Sequence, residues 1–356
     1  MNQSNVFRLG KNEISKDCEP VFLPDIGTFF NQDMALAMSM VDQLADSGVT
    51  TIKGEILHSP DICLKDSGDE VYWGHDSEKL KQENYRALIE RKVVSLDAYE
   101  KLFQYCKSKG MDVVVSVYDF EGAAFAKRLE MSAIKIASSN ITHQPLIEYV
   151  AKLDTPVILD TGHSTIEEIA RAIDWLHDAG AQNVIIEHSP LGPPNGVELH
   201  NLRFMTTLGD TFGIPYGLSD HHAGEEMLYA AVSLGAAVIE KGVCPDNLGD
   251  EQDAAHALPI SRVEDVVKKI RNIYLAMGDG VRDLPRNREK YRSRMGLIAK
   301  KDLTAGDIIT LDTVTFAFPA KGIEVENWRE VQGSSLTCSV KAGGIIRWQD
   351  LHVFTG

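Results

Sequence analysis

Positive charge is scarce in this chain: 36 Lys and Arg stand against 52 Asp and Glu, a net charge of −16. That balance excludes nucleic acid or an anionic membrane as the main partner, since either would meet like charge. An anionic small molecule stays compatible only where lysines or arginines gather locally. Cysteine is also thin. Cys18, Cys63, Cys106, Cys244 and Cys338 are scattered, with no CxxC, which excludes a disulfide framework and points to free thiols in a reducing compartment. No apolar run reaches the ~18 residues that a membrane span needs. Met1 to Asp17 is polar and lacks an apolar stretch, so no signal peptide is expected and the expected compartment is the cytoplasm. No GxGxxG follows the first apolar run, which argues against a dinucleotide-binding open sheet.

What is present is a regular alternation of short, Val- and Ile-rich runs with amphipathic helical patterns, from Val21 to about Met277. The runs Val21–Asp25, Thr51–Glu55, Asp112–Val117, Ala133–Ile136, Val157–Asp160, Asn183–Glu187, Tyr216–Ser219 and Val238–Lys241 read as strands. Met34–Ala45, Thr165–Ala179, Glu225–Leu234 and Ile260–Met277 read as helices. A Gly or Pro stop precedes several strands (Gly48, Gly110, Pro156, Gly180, Pro215, Gly235). Eight such units in about 250 residues predict an α/β fold, a (β/α)8 TIM barrel. Composition changes after Met277: a basic, Pro-containing stretch (Pro285, Arg286, Arg288, Lys290, Arg292, Arg294) precedes short alternating segments and turns. The expected domains are a barrel over residues 18–280, a linker over 281–294 and a small β-rich domain over 295–356. The last would be marginally stable alone, so docking onto a barrel or a second subunit is expected.

In such barrels the chemistry lies at the C-terminal ends of the strands. Gly217-Leu-Ser219-Asp220-His221 and Val238-Ile-Glu240-Lys241-Gly242 end two of the runs there. Ser59 to Gln82, containing Tyr72, Trp73 and Gly74, is long and charged, and reads as a lid or substrate wall after the second strand.

Ordered segments along nearly the whole chain carry a resemblance. They are Asp25-Ile-Gly27, Ile134-Lys135-Ile136-Ala137-Ser138, Pro156-Val-Ile-Leu-Asp160-Thr-Gly162, the Ser219 and Glu240 segments, Ala305-Gly306-Asp307-Ile308-Ile309-Thr310, and Gly343-Gly-Ile-Ile-Arg-Trp-Gln-Asp350-Leu. The chain resembles the sialic acid (N-acetylneuraminate) synthase family, which includes spore coat polysaccharide biosynthesis protein E, as a divergent member. The resemblance implies a TIM barrel joined to a C-terminal antifreeze-like (SAF) domain. It implies a transferase that adds phosphoenolpyruvate to the open-chain aldehyde of an N-acylated hexosamine, giving a sialic-acid-like 2-keto sugar acid for surface polysaccharide. It further implies a divalent metal, Mn2+ or Mg2+, and a homodimer in which each C-terminal domain caps the partner's barrel.

Carried over residue by residue, Lys53 and Lys135 match contacts to phosphate and carboxylate, and Ser138 and Ser219 match donors to the same anion. The structural alternative for the two lysines is an ion pair with Asp25, Glu55 or Asp160. Asp25 stands where the resemblance implies a glutamate on acceptor hydroxyls. Asp253 matches a second acidic sugar contact, and a solvated loop aspartate is its alternative. His221 matches one metal-binding histidine, while Gly242 replaces the other. Glu240, two residues before Gly242 and so on the same strand face, is the expected substitute, with His188 and Cys244 as further candidates.

The departures cluster at strand ends. Phe29-Phe30 replace an Asn-His pair, Glu55 a glutamine, Val117 a threonine, Asn140 an acidic residue, Asp160 a serine and Gly192 an asparagine. Phe318 replaces an arginine, and Lys321 is expected to restore a cation at the substrate. Two other readings follow from this. Glu55, Asp160, His163, His188 and His221 would serve a lyase or hydrolase as an acid/base cluster, or the chain is a non-catalytic homologue.

Overall fold

The protein is described by a computed structural model covering residues 6–15, 18–73, 80–193, 195–249, 251–281 and 293–352. Its contacts form two compact units, residues 1–278 and 279–356. The first opens with a hairpin, β1 (Phe7–Leu9) and β2 (Asn12–Ile14). There follow β3 (Val21–Asp25), α1 (Met34–Asp46), β4 (Thr51–Ile56), β5 (Asp69–Trp73), β6 (Leu80–Asn84), α2 (Tyr85–Glu90), α3 (Leu96–Ser108), β7 (Asp112–Val117), α4 (Phe120–Arg128), β8 (Ala133–Ile136) and α5 (Gln144–Ala151). The unit continues through β9 (Val157–Asp160), α6 (Ile166–Asp178), β10 (Val184–His188), α7 (Arg203–Phe212), β11 (Tyr216–Asp220), α8 (Glu226–Ser233), β12 (Val238–Cys244), the short β13 (Leu258–Pro259) and α9 (Val263–Met277). Strands β3, β4, β7, β8, β9, β10, β11 and β12 pair in that order, all parallel, and β12 pairs back onto β3. The sheet is a closed (β/α)8 barrel, as expected.

The two-residue strand period sorts the side chains into two cores. Phe22, Ile52, Val113, Val115, Ile134, Leu159, Ile186, Leu218 and Ile239 face outward, into the core shared with the helices. Helices answer with apolar residues three and four apart: in α6 these are Ile169, Ala172, Ile173 and Leu176, behind a Thr165–Glu168 capping box. Val21, Leu23, Val114, Ala133, Ile158, Ile185 and Val238 face inward, and Leu9 and Ile14 of the β1–β2 hairpin join them. One step further along each strand, the next inward residue is polar: Asp25, Lys53, Ser116, Lys135, Asp160, Glu187, Ser219 and Glu240. The barrel is therefore apolar at its N-terminal end and ionic at its C-terminal end.

Two features differ from expectation. The β1–β2 hairpin falls in a stretch too short and polar to signal strands. The Ser59–Gln82 segment is not a plain loop: β5 and β6 pair antiparallel from Asp69↔Asn84 to Trp73↔Leu80, while Gly74 lies outside the described residues. The basic positions Arg286, Arg288, Lys290 and Arg292 also lie outside them.

The second unit has its own core of Leu297, Ala299, Leu303, Ile309, Val314, Ile323, Val331, Leu336, Ile346 and Leu351. It is built on β14 (Gly296–Ala299) paired antiparallel with β15 (Val314–Ala317), α10 (Trp328–Val331), and β16 (Ser335–Leu336) paired with β17 (Leu351–His352). Among the described residues no helix is long and apolar enough to cross a membrane.

Candidate active site

A cavity of about 710 Å³ opens at the C-terminal ends of the barrel strands. Its floor is the ionic layer. Lys135 Nζ lies 2.7 Å from Glu240 Oε1, 2.8 Å from Glu187 Oε2 and 2.9 Å from Asp160 Oδ2, and donates to Ser219 Oγ at 3.2 Å. Lys53 Nζ lies 2.5 Å from Asp25 Oδ2 and 3.5 Å from Glu240 Oε1. Glu240 thus bridges the two ammonium groups, and Ser219 donates to the same Oε1 at 3.1 Å. Both lysines are buried. Burial alone would lower their pKa values, but the surrounding carboxylates outweigh it and raise both.

Carboxylates outnumber cations here, and the excess shows in their proton affinities. Glu187 is fully buried. Neither of its oxygens has a hydrogen-bond partner, the approach of Lys135 being close but poorly angled. Burial pushes its pKa up to about 8; Lys135 opposes this, and Glu240 and Asp160 reinforce it. Asp160 behaves oppositely. Burial would raise it, yet Lys135 and the Gly162 N–H, 3.1 Å from Oδ1, hold it below the usual carboxylate range. Glu55 is raised by burial and by Asp25, while accepting a hydrogen bond from Tyr118 Oη at 2.9 Å.

One wall carries imidazoles. The His221 and His256 rings lie 4.7 Å apart between centroids, at 68°, and both line the cavity. Ser189 Oγ is 3.4 Å from His221 Nδ1. Glycine at 192 permits this: a Cβ there would fall 2.7 Å from the His221 carbonyl oxygen and 3.3 Å from His256 Nδ1.

An ionic floor of strand lysines in this fold meets a matching family pattern: residues 40–282 match the NeuB family and residues 294–352 the SAF domain. The chain belongs to the NeuB family. It is 28% identical to the N,N'-diacetyllegionaminic acid synthase of Campylobacter jejuni over 92% of this chain and 98% of that one. It is 25% identical to the pseudaminic acid synthase of Helicobacter pylori, over 94% and 98%. The crystal structure of spore coat polysaccharide biosynthesis protein spsE from Bacillus subtilis matches the fold with a TM-score of 0.65 at 22% identity, covering 97% of this chain and 99% of that one. The C-terminal unit is accordingly a SAF domain, following the NeuB-type barrel in sequence.

Within this NeuB-type pocket the structure gathers Asp25, Lys53, Glu55, Lys135, Ser138, Asp160, Ser219, His221, Glu240 and Asp253 around one cavity. The lysines sit in the ion pairs named as their structural alternative. Asp253 is an exposed residue at the mouth with φ 68°. Lys321 and Phe318 are exposed residues of the SAF domain. Phe29 lines the pocket, whereas Phe30 is buried in the helix–sheet core.

Of the acid/base set, Glu55, Asp160, His163 and His221 line the cavity and His188 does not. Glu187 faces inward, so its strand neighbour faces out; His188 packs on Phe204 and hydrogen-bonds the His200 carbonyl at 2.7 Å. Cys244 is buried beside Phe29 and Ala257, and burial pushes its thiol up to about 11. Two residues of the site, Glu187 and His256, escape the sequence analysis. The inward period of β10 would have found Glu187, two residues after Ile185. His256 sits in a loop with no periodicity to flag it.

The family-implied metal tests differently at two places. Asp160, Glu187 and Glu240 have ligand atoms within 4.8 Å of one another, a spacing that suits a cation. The Lys135 ammonium already lies among them, so a metal there would have to displace it. Glu240 hydrogen-bonds Lys135 and Ser219, and His221 is not among its partners. The imidazole wall, in contrast, has nitrogen donors not committed to an ammonium group.

Proposed function

We propose that this chain catalyses a synthase-type condensation between phosphoenolpyruvate and the open-chain aldehyde of an N-acylated hexosamine-type sugar, in cytoplasmic synthesis of a surface-polysaccharide sugar acid. The carrying observation is the pair of buried ammonium groups, Lys53 and Lys135, on the floor of one cavity at the catalytic end of a NeuB-type barrel. Inward-facing lysines cost several kcal/mol to bury; both are paired with floor carboxylates and both still line the open cavity, where an anion can meet them.

In the reaction, C3 of phosphoenolpyruvate bonds to the aldehyde carbon and the aldehyde oxygen gains a proton. Water adds at C2 and the C2–O bond breaks, so phosphate leaves and a 2-keto acid remains. Lys53 and Lys135 orient the carboxylate and phosphate, and Ser138 and Ser219 donate to them. Asp25, beside Lys53, accepts from acceptor hydroxyls, with Glu55 and Asp253 nearer the mouth. A divalent metal, when bound, supplies Lewis-acid polarisation of the aldehyde oxygen, and His221 is the residue proposed to hold it.

The floor's carboxylate excess bears on this reading. An arriving anion must share the lysines with Asp160, Glu187 and Glu240. Glu187, with its raised pKa, carries a proton at neutral pH and lessens the repulsion. The reading extends to a homodimer in which Lys321 of the SAF domain reaches substrate.

The test is incubation of the purified protein with phosphoenolpyruvate and a panel of N-acylated hexosamines, following phosphate release and new 2-keto acid by mass spectrometry. Phosphate released only with an acceptor, with a matching product mass, supports the reading. Release of neither, from folded protein with metal added, sinks it. Sedimentation gives the oligomeric state independently.

A further inference from the structure

Gly242 has no side chain to offer a ligand, and the structure shows what stands beside it. A Cβ built on Gly242 would meet Phe29 at 3.6 Å and the Ala257 backbone at 3.9 Å. The segment passing this position is therefore the loop after β12, and the residue before Ala257 is His256. Asp253, with φ 68°, turns that loop into a 3-10 turn, Ala254–His256. Glu251 anchors it, with its carboxylate 2.5 Å from Arg91 and 3.3 Å from Lys92.

This path sets His256 against His221, 4.7 Å between ring centroids. Two nitrogens on one metal lie ~3 Å apart, given metal–nitrogen bonds of about 2.0–2.1 Å. A ring separation of 4.7 Å is of the order that such a pair of ligands requires, and the site needs one nitrogen of each ring turned toward the shared ion. Among the described residues neither ring nitrogen of His256 has a hydrogen-bond partner, while Ser189 sits beside His221 Nδ1 and steadies that ring. Gly192 keeps the approach open, since a Cβ there would press on both histidines.

We propose that His221 and His256 form a two-imidazole site for a divalent transition-metal ion, with His256 supplying from the β12 loop the ligand that Gly242 cannot supply from the strand. Imidazole favours Co2+ and Zn2+ most and Mn2+ less strongly, all over Mg2+, which prefers oxygen and keeps its waters. Two protein ligands leave the remaining positions open to water or substrate oxygens, as a catalytic rather than a structural site requires. The site's use in catalysis rests on the condensation reading; the binding does not.

The test is calorimetric titration of Mn2+, Co2+ and Mg2+ into the metal-stripped full chain, with the visible spectrum of the Co2+ form as second readout. One Mn2+ or Co2+ per chain is expected, with no Mg2+ heat. His256→Ala and His221→Ala should each weaken binding by about tenfold or more and alter the Co2+ bands. His256→Gln, which keeps the side chain's bulk, guards against a folding defect. Adding Gly242→His to His256→Gln should restore affinity. Metal affinity unmoved by His256→Gln, or no Mn2+ or Co2+ bound by folded wild type, overturns the proposal. Metal held through both histidines without phosphoenolpyruvate binding supports it while removing the condensation reading. Phosphoenolpyruvate bound normally by a protein whose metal affinity ignores His256 overturns this site alone.

Discussion

The Glu187 carboxylate lies 2.8 Å from the Lys135 ammonium, yet burial, with Glu240 and Asp160 nearby, holds its pKa up at about 8. Its folded value is above the ordinary 4.5, so the proton it holds stabilises the fold. That contribution is full below the unfolded value and is lost as pH rises through about 8. The melting temperature is expected to fall as pH crosses that range, and Glu187→Gln, which cannot ionise, should flatten the fall. Thermal melts of both proteins across the range decide it; parallel curves would refute the assignment.

The same proton governs anion binding. A phosphoenolpyruvate molecule near Lys135 favours the protonated Glu187, so affinity should weaken as pH rises from roughly 7 to 9, a range over which the ligand's own charge is nearly constant. Calorimetry in buffers of different ionisation heat should show net proton uptake on binding. Buffer-independent heats would rule out the linkage.

Asp160 is one of three carboxylates around Lys135, 2.9 Å from its Nζ, and its lowered pKa keeps it charged where an anion would bind. Asp160→Ser removes one negative charge and leaves a hydroxyl donor. Phosphoenolpyruvate should bind about tenfold tighter, ~1.4 kcal/mol, the order of one neighbouring-charge effect. Unchanged or weaker binding by a variant that melts normally would count against an anion on Lys135.

The barrel was legible because two periods run through the sequence. Alternation in Val157-Ile-Leu-Asp160 puts Ile158 in the inner core and Leu159 in the outer one, and spacings of three and four mark α6. Lys53, Lys135, Ser219 and Glu240 were legible as candidates for the same reason: each is one inward step beyond an apolar or small residue. What was not legible is the balance of charge among them. Lys135 is caged by three carboxylates from β9, β10 and β12, and no local pattern reports that neighbours so far apart in sequence converge. His256 stayed hidden because its position depends on a left-handed turn at Asp253 and a two-pronged contact between Arg91 and Glu251.

Arg91 reaches both Glu251 oxygens, at 2.5 and 2.8 Å. Burial would raise Glu251, but Arg91 and Lys92 hold it down at about 2. A depressed carboxylate contributes stability above its ordinary value of 4.5, lost as pH falls toward about 2. Arg91→Ala should cost about 1–3 kcal/mol, less than a fully buried pair because the guanidinium is partly exposed. The variant should be less sensitive to acid than wild type between those limits and its 251–257 loop more readily cut by protease. A melt indistinguishable from wild type, with an equally resistant loop, would show that the loop is held by something else.

The most direct measurement is calorimetric titration of phosphoenolpyruvate into the purified protein, with and without Mn2+, repeated on Lys53→Ala. Micromolar binding by wild type that the substitution abolishes, while the variant still melts cooperatively, is the expected result. Absence of heat at millimolar ligand with the wild-type fold intact would contradict it, and would mean that the two buried lysines serve the barrel's ion pairs and not an anionic substrate.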